Sequence, residues 1–176
     1  MIDWRWNEVD IVESQERWYE AKSFLTKKWK QNPENLKILI RLGFFCWYVL
    51  VEEDCIRGEK LDSDELESML NEVTHFGLTN FMENEDFLWC FGYMISQFPY
   101  YFGDYEHWEE KGISMLKRAY ELCPDDPVYK YSYLGSLPDS GGKLKAELQQ
   151  VLFLKIDFKK KAYYPIILKM YGEISR

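Results

Sequence analysis

Apolar residues recur every three to four positions along most of this 176-residue chain, the period of a helix with one buried face. Trp18, Ala21, Leu25 and Trp29 share such a face. Their spacing predicts a helix from Ser14 to Gln31, with Ser14 as its N-cap and Asn32-Pro33 as its stop. A second helix is expected from Glu34 to about Ile56. Its stripe of Leu36, Leu39, Ile40, Gly43, Cys46, Trp47 and Leu50 is so wide that it requires cover from two sides. Gly58 interrupts the pattern. Asp62 or Ser63 then caps a helix carrying Leu66, Met69, Leu70 and Val73, with Asp62 and Glu65 making a variant capping box. Phe76 to Asn84 reads as a connector, and Asn84 to Gln97 as a helix with Leu88, Phe91, Gly92 and Ile95 inward. Pro99 and Gly103 set a loop before a helix from Tyr105 to Leu122, which stops at Cys123-Pro124. A short helix follows from Pro127 to Ser136, then a break at Pro138 to Lys143. Lys143 to about Ile156 reads as helix. Pro165 opens either a last helix or a short strand pair. The expectation is one all-α domain, residues 1–176, of about seven or eight helices.

Two distant stretches match. Ala21-x-x-x-Leu25 lies 12 residues before Pro33, and Gly112-x-x-x-Leu116 lies 12 before Pro124. Three helices share a large-x-x-large-Gly pattern: Leu39, Leu42, Gly43; Leu88, Phe91, Gly92; Tyr131, Leu134, Gly135. Over residues 14–137 this resembles the tetratricopeptide repeat, W-x2-L-G-x2-Y, then A-x3-F, then P. The resemblance implies antiparallel helix pairs stacked as a short solenoid, here with extra C-terminal helices. It also implies a binding scaffold without catalysis. The glycines stand 49 and 43 residues apart, against about 34 in that family. The excess falls in the turns inside the helix pairs, residues 52–63 and 98–107. Such turns share one edge of a stack, which makes these two insertions expected neighbours.

Charge sharpens that edge. The net charge is −8 overall, but residues 51–110 hold 2 basic and 16 acidic residues, a net of −14. Such a field attracts a basic partner and repels nucleic acid and anionic membrane. It can also be only a solvated face. The two turns supply Glu52, Glu53, Asp54, Asp62 and Asp64 on one side and Asp104, Glu106, Glu109 and Glu110 on the other. Tyr100, Tyr101, Phe102, Tyr105 and Trp108 lie among the second group, and aromatics amid charge suit an interface centre. The competing reading is that these rings cover the core where the turn widens.

No catalytic set is evident. His75 and His107 have no metal-ligand spacing with each other or with the four cysteines, so neither a metal nor a cofactor is expected. Ser140-Gly141-Gly142-Lys143 lacks phosphate-loop spacing. The run Lys159–Lys161 reads as solvated. The cysteines Cys46, Cys55, Cys90 and Cys123 show no C-x-x-C spacing, which fits free thiols and a cytoplasmic setting. The N-terminus lacks signal-peptide order, and no apolar run spans a membrane. The expected function is a non-catalytic protein-binding module. As an immunity-type or inhibitor protein, it would dock its acidic, aromatic edge onto a basic partner such as a nuclease toxin. The alternative is a repeat adaptor holding a peptide tail in its groove with Lys37, Arg41 and Lys130.

Overall fold

The computed structural model describes residues 5–53 and 60–137, and these contain seven α-helices and no strand. The helices are α1 (Asn7–Ser14), α2 (Trp18–Gln31), α3 (Leu36–Val51), α4 (Ser63–Asn80), α5 (Glu85–Gln97), α6 (Tyr105–Leu122) and α7 (Pro127–Gly135). A single 3-10 turn, Pro99–Tyr101, stands between α5 and α6. The helices expected beyond Lys143 lie outside the described residues.

Helix α3 is the centre of the packing. Twelve of its sixteen residues are buried, as its wide stripe requires. It touches α2, α4 and α5. Trp18, the first residue of α2, meets Phe45 and Tyr48 near the end of α3, so the two helices run antiparallel. Helices α5 and α7 instead run parallel. Trp89 Nε1 donates to Ser132 Oγ at 2.8 Å, and Tyr129 Oη donates to Asp86 Oδ1 at 2.7 Å. Both pairs are 43 residues apart in sequence, so the contacts advance together along the two helices. Burial, then the hydrogen bond to Asp86, pushes the Tyr129 phenol up. Burial and the Asp86 charge likewise push up the Cys90 thiol.

Three four-residue turns repeat one design. Residues 32–35, 81–84 and 123–126 each close with a backbone bond from the fourth N–H to the first carbonyl, at 3.1, 2.9 and 3.1 Å. Each ends on a capping side chain: Asn35 accepts from Ile38, Asn84 from Asp86 and Phe87, and Asp126 from Val128. These caps satisfy backbone donors that the first helical turn leaves without partners. The middle copy has neither Pro nor Gly, which is why it reads in sequence as part of a longer connector. Helix α4 in fact continues through Asn80. Gly77 sits there because the Phe87 ring occupies the space a side chain would need.

Two further expectations change. The helix expected from Ser14 starts at Trp18, and a separate helix, α1, precedes it. Ser14 ends α1, its hydroxyl donating to Ile11 O at 2.8 Å, and Glu16 breaks the path at φ 57°. The break lets Val9 reach the core while Asp10 and Glu13 meet Arg41 of α3. The glycine alignment also slips in its third copy. Gly43 and Gly92 stand eight residues past their caps, whereas Gly135 stands nine past Asp126 and is the exposed last residue of α7.

The α5–α6 contact is backbone on backbone. A β-carbon on Gly92 would lie 3.0 Å from Gly112 O, and one on Gly112 would lie 2.6 Å from Ser96 N. Replacing Gly112 by Ala gains about 1 kcal/mol of helix propensity. Forced separation of the helices costs about 1–3 kcal/mol. Urea denaturation of Gly112→Ala is therefore expected to show a net loss of stability. A gain would contradict the close approach of α5 and α6.

Candidate acidic edge

The second widened turn lies between α5 and α6, and one hydrogen bond ties it to the end of α3, from which the first departs. Tyr101, in the 3-10 turn after α5, donates its hydroxyl to Leu50 O at 3.0 Å. Leu50 lies in the last turn of α3, where helix carbonyls lack intrahelical partners. The bond fixes the second insertion against the start of the first. The Tyr101 phenol is pushed up to about 12, by burial first, then by Tyr100 and by the charges of Glu67 and Glu53. Glu53 closes the described part of the first turn, and Glu67 lies one helical turn into α4, so acids from both sides of that turn act on one phenol.

The local sequence explains the shape. Asp62 Oδ1 accepts from Glu65 N at 3.1 Å and starts α4. Asp104 Oδ1 accepts from His107 N at 3.0 Å and starts α6. Two predicted site acids are therefore helix caps as well as charges, both favoured at helix N-termini. Gly103 takes φ 142°, and the Trp108 indole fills the space where a β-carbon would stand. No other residue type adopts that backbone without strain.

The predicted aromatics divide. Phe102 is 4% exposed and packs on Trp108, with ring centroids 5.7 Å apart. Trp108 is half-buried, its ring edge-to-face with His75 of α4 at 6.2 Å. Tyr101 is half-buried and bonded as described. These three rings cover the core beneath the widened turn. Tyr105 remains exposed at 52%, its hydroxyl donating to Glu109 Oε1 at 3.2 Å. The Glu109 carboxylate raises its pKa. Tyr100, 55% exposed, stands beside Tyr101.

Among the acids, Glu53, Asp62, Asp64, Asp104, Glu106 and Glu110 are exposed, while Glu52 and Glu109 are half-buried. Asp54 lies outside the described residues. Glu67 is missing from the sequence-derived set, although its i,i+3 relation to Asp64 places both on one helical face. Helix α4 carries Asp64, Glu65, Glu67 and Glu72 and no Lys or Arg. Glu65 is spent on an ion pair with Lys22.

The alternative groove is less available than its sequence implies. Arg41 is 2% exposed and bonded to Asp10 at 3.0 Å and Glu13 at 3.1 Å, both from α1. Burial raises the Glu13 pKa despite that contact. Lys37 Nζ donates to Arg5 O at 2.7 Å, and Lys130 lies over the Tyr131 ring. Among the described residues, no cluster of three or more His, Cys, Asp or Glu side chains could hold a metal. Nor is any described helix long and apolar enough to cross a membrane.

Tyr101 gives a pH-dependent test. An unfolded tyrosine ionises near pH ~10. As pH rises from there toward about 12, the unfolded chain sheds a proton that folded Tyr101 keeps, so stability falls. Tyr101→Phe is expected to cost about 0.5–1.5 kcal/mol at neutral pH and to flatten that alkaline decline. Urea melts across the alkaline range read both effects.

Comparison with family models, with curated proteins and with solved structures returned no match, so what this chain resembles rests on its own residues and geometry.

Proposed function

We propose that this chain is a non-catalytic binding module of tetratricopeptide-like, solenoid type, acting as an immunity-type or inhibitor protein. Its acidic edge docks on a basic protein, and a nuclease toxin supplies the matching surface, since a nucleic-acid groove is lined with cations. The observation that carries the reading is the Tyr101–Leu50 bond, which holds the second acidic turn against the end of α3, beside the start of the first. Exposed Tyr100 and Tyr105 beside them supply rigid contact area at small entropic cost. The repeated capped turns at 32–35, 81–84 and 123–126 support the helical-repeat reading. The enclosure of Arg41 by α1 weighs against the peptide-groove alternative.

Four exposed edge acids with no ion pair among the described residues, Asp64, Glu67, Glu106 and Glu110, set the encounter. Charge steering raises association rates by about 10–1,000-fold and fades as salt shortens the Debye length. The exposed rings act after encounter and slow dissociation.

The test uses the partner captured from native cell extract. Reversing Asp64, Glu67, Glu106 and Glu110 to Lys is expected to slow association about 10-fold or more at low salt, with helical circular dichroism unchanged. Tyr100→Ala and Tyr105→Ala are expected to speed dissociation instead. If the reversal leaves association unchanged while Lys37→Glu and Lys130→Glu abolish it, the groove is the contact surface and the inhibitor reading fails.

A further inference from the structure

The chain carries a second charged surface, of opposite sign. Helix α2 has Lys22, Lys27, Lys28 and Lys30 against a single acid, Glu20. Beside it lies an open groove of about 460 Å³, with Tyr19, Lys22, Thr26, Lys27 and Lys30 on one wall and Glu65 of α4 on the other. Lys22 is occupied by Glu65 and by the Tyr19 ring, and Lys28 by the Phe24 ring. Lys27 and Lys30 are exposed and pair with no acid among the described residues.

The exposed large apolar side chains among the described residues are Ile11, Tyr19, Tyr100 and Tyr105. Three of the four are tyrosines set in charged surroundings. Tyr19 stands at the lysine groove, while Tyr100 and Tyr105 stand beside the acids of α6. Each surface thus pairs aromatic area with charge, and the charges are opposite. Lys27 and Lys30 are one helical turn apart on α2, as Glu106 and Glu110 are on α6, so both present charge at about 5–6 Å spacing.

The two surfaces cannot meet within one molecule. Helix α4 stands between them, touching α2 through Trp29 and Phe76 and α6 through His75 and Trp108. Two interaxial steps separate α2 from α6 by about 16–20 Å. A polyanion such as nucleic acid is a poor occupant of the α2 groove, because the adjoining α4 wall is wholly acidic. A segment that brings a few acids and a tyrosine fits better, and this chain has one.

We infer that the lysine groove of α2 receives the acidic, tyrosine-bearing start of α6 from a second copy. The contact joins two different surfaces, so each copy offers both a groove and a docking segment to its neighbours. The net charge of −8 opposes this at long range. At about 0.15 M salt, charges beyond ~8 Å are screened and the local complementarity decides. The contact shares its acidic half with the proposed partner-binding edge but needs no partner. Its failure leaves that reading standing, since Lys27 and Lys30 have no part in it.

Sedimentation of the purified chain up to about 1 mM, where weak contacts register, tests the inference. The weight-average mass is expected to rise with concentration to about twice the monomer or beyond. K27E/K30E alone and E106K/E110K alone are expected to remain monomeric. Their equimolar mixture is expected to associate, because each supplies the surface the other has lost. None of these changes removes a helix cap, and circular dichroism verifies folding. The neutral pairs K27Q/K30Q and E106Q/E110Q replace any variant that unfolds; each alone is expected to weaken association, and mixing them is expected to restore it, since one keeps the acidic segment and the other the lysine groove. A wild-type chain that stays monomeric throughout overturns the inference. So do single variants that associate like wild type, or a charge-reversed mixture that stays monomeric.

Discussion

Burial of α3 is the constraint on which the rest of the structure depends. A helix with twelve of sixteen residues out of water needs neighbours on several sides, and α2, α4 and α5 supply them. Once those neighbours are fixed, the end of α3 has only one place to be, beneath the 3-10 turn that follows α5. Tyr101 reaches the Leu50 carbonyl there and closes the end of the helix. The place of the second insertion is thus a consequence of core packing, because its 3-10 turn rests on the end of α3, where the first begins. Aromatic rings do much of the filling: Trp47 meets Tyr93 and Phe98, and Phe87 meets Phe91 at 4.7 Å.

Much of this was legible in the sequence, for physical reasons. Helix α6 and the start of α5 could be read to within a residue, because Asp104 and Asn84 are strong caps and Cys123-Pro124 is a strong stop. The position of the insertions followed from counting between equivalent glycines and prolines. Other features carried no local signal. The break at residues 15–17 contains neither Gly nor Pro, and the contacts that go with it, Arg41 with Asp10 and Glu13, are long-range. Gly77 lies in the stretch that reads as a connector but is a packing glycine of α4, a fact that only the Phe87 ring reveals. The exposed or buried state of each ring at the edge was likewise out of reach. Tyr100 and Tyr101 are adjacent in sequence, yet one faces water and the other closes a helix.

The edge has two kinds of residue, and this matters for function. Asp62 and Asp104 hold helices in place, and Tyr101, Phe102 and Trp108 hold the turn on the core. Changing them disturbs the fold before it disturbs a contact. Asp64, Glu67, Glu106, Glu110, Tyr100 and Tyr105 have no comparable structural task among the described residues. A surface that keeps four unpaired acids and two exposed tyrosines together bears the cost of like-charge repulsion. Contact with a basic protein would relieve that cost, as the proposed function requires. The lysine groove of α2, on the far side of α4 from the acids of α6, gives the chain an electrical polarity that its net charge hides.

Hydrogen exchange of the chain with and without its captured partner addresses the central claim most directly, since it reads every backbone amide at once. The account predicts joint slowing in two separated segments, the first turns of α4 around residues 63–68 and the stretch from Tyr100 to Glu110, with α3, α5 and α7 unchanged. Slowing confined to the α3, α5 and α7 helices, with both acidic segments exchanging as in the free chain, would contradict it.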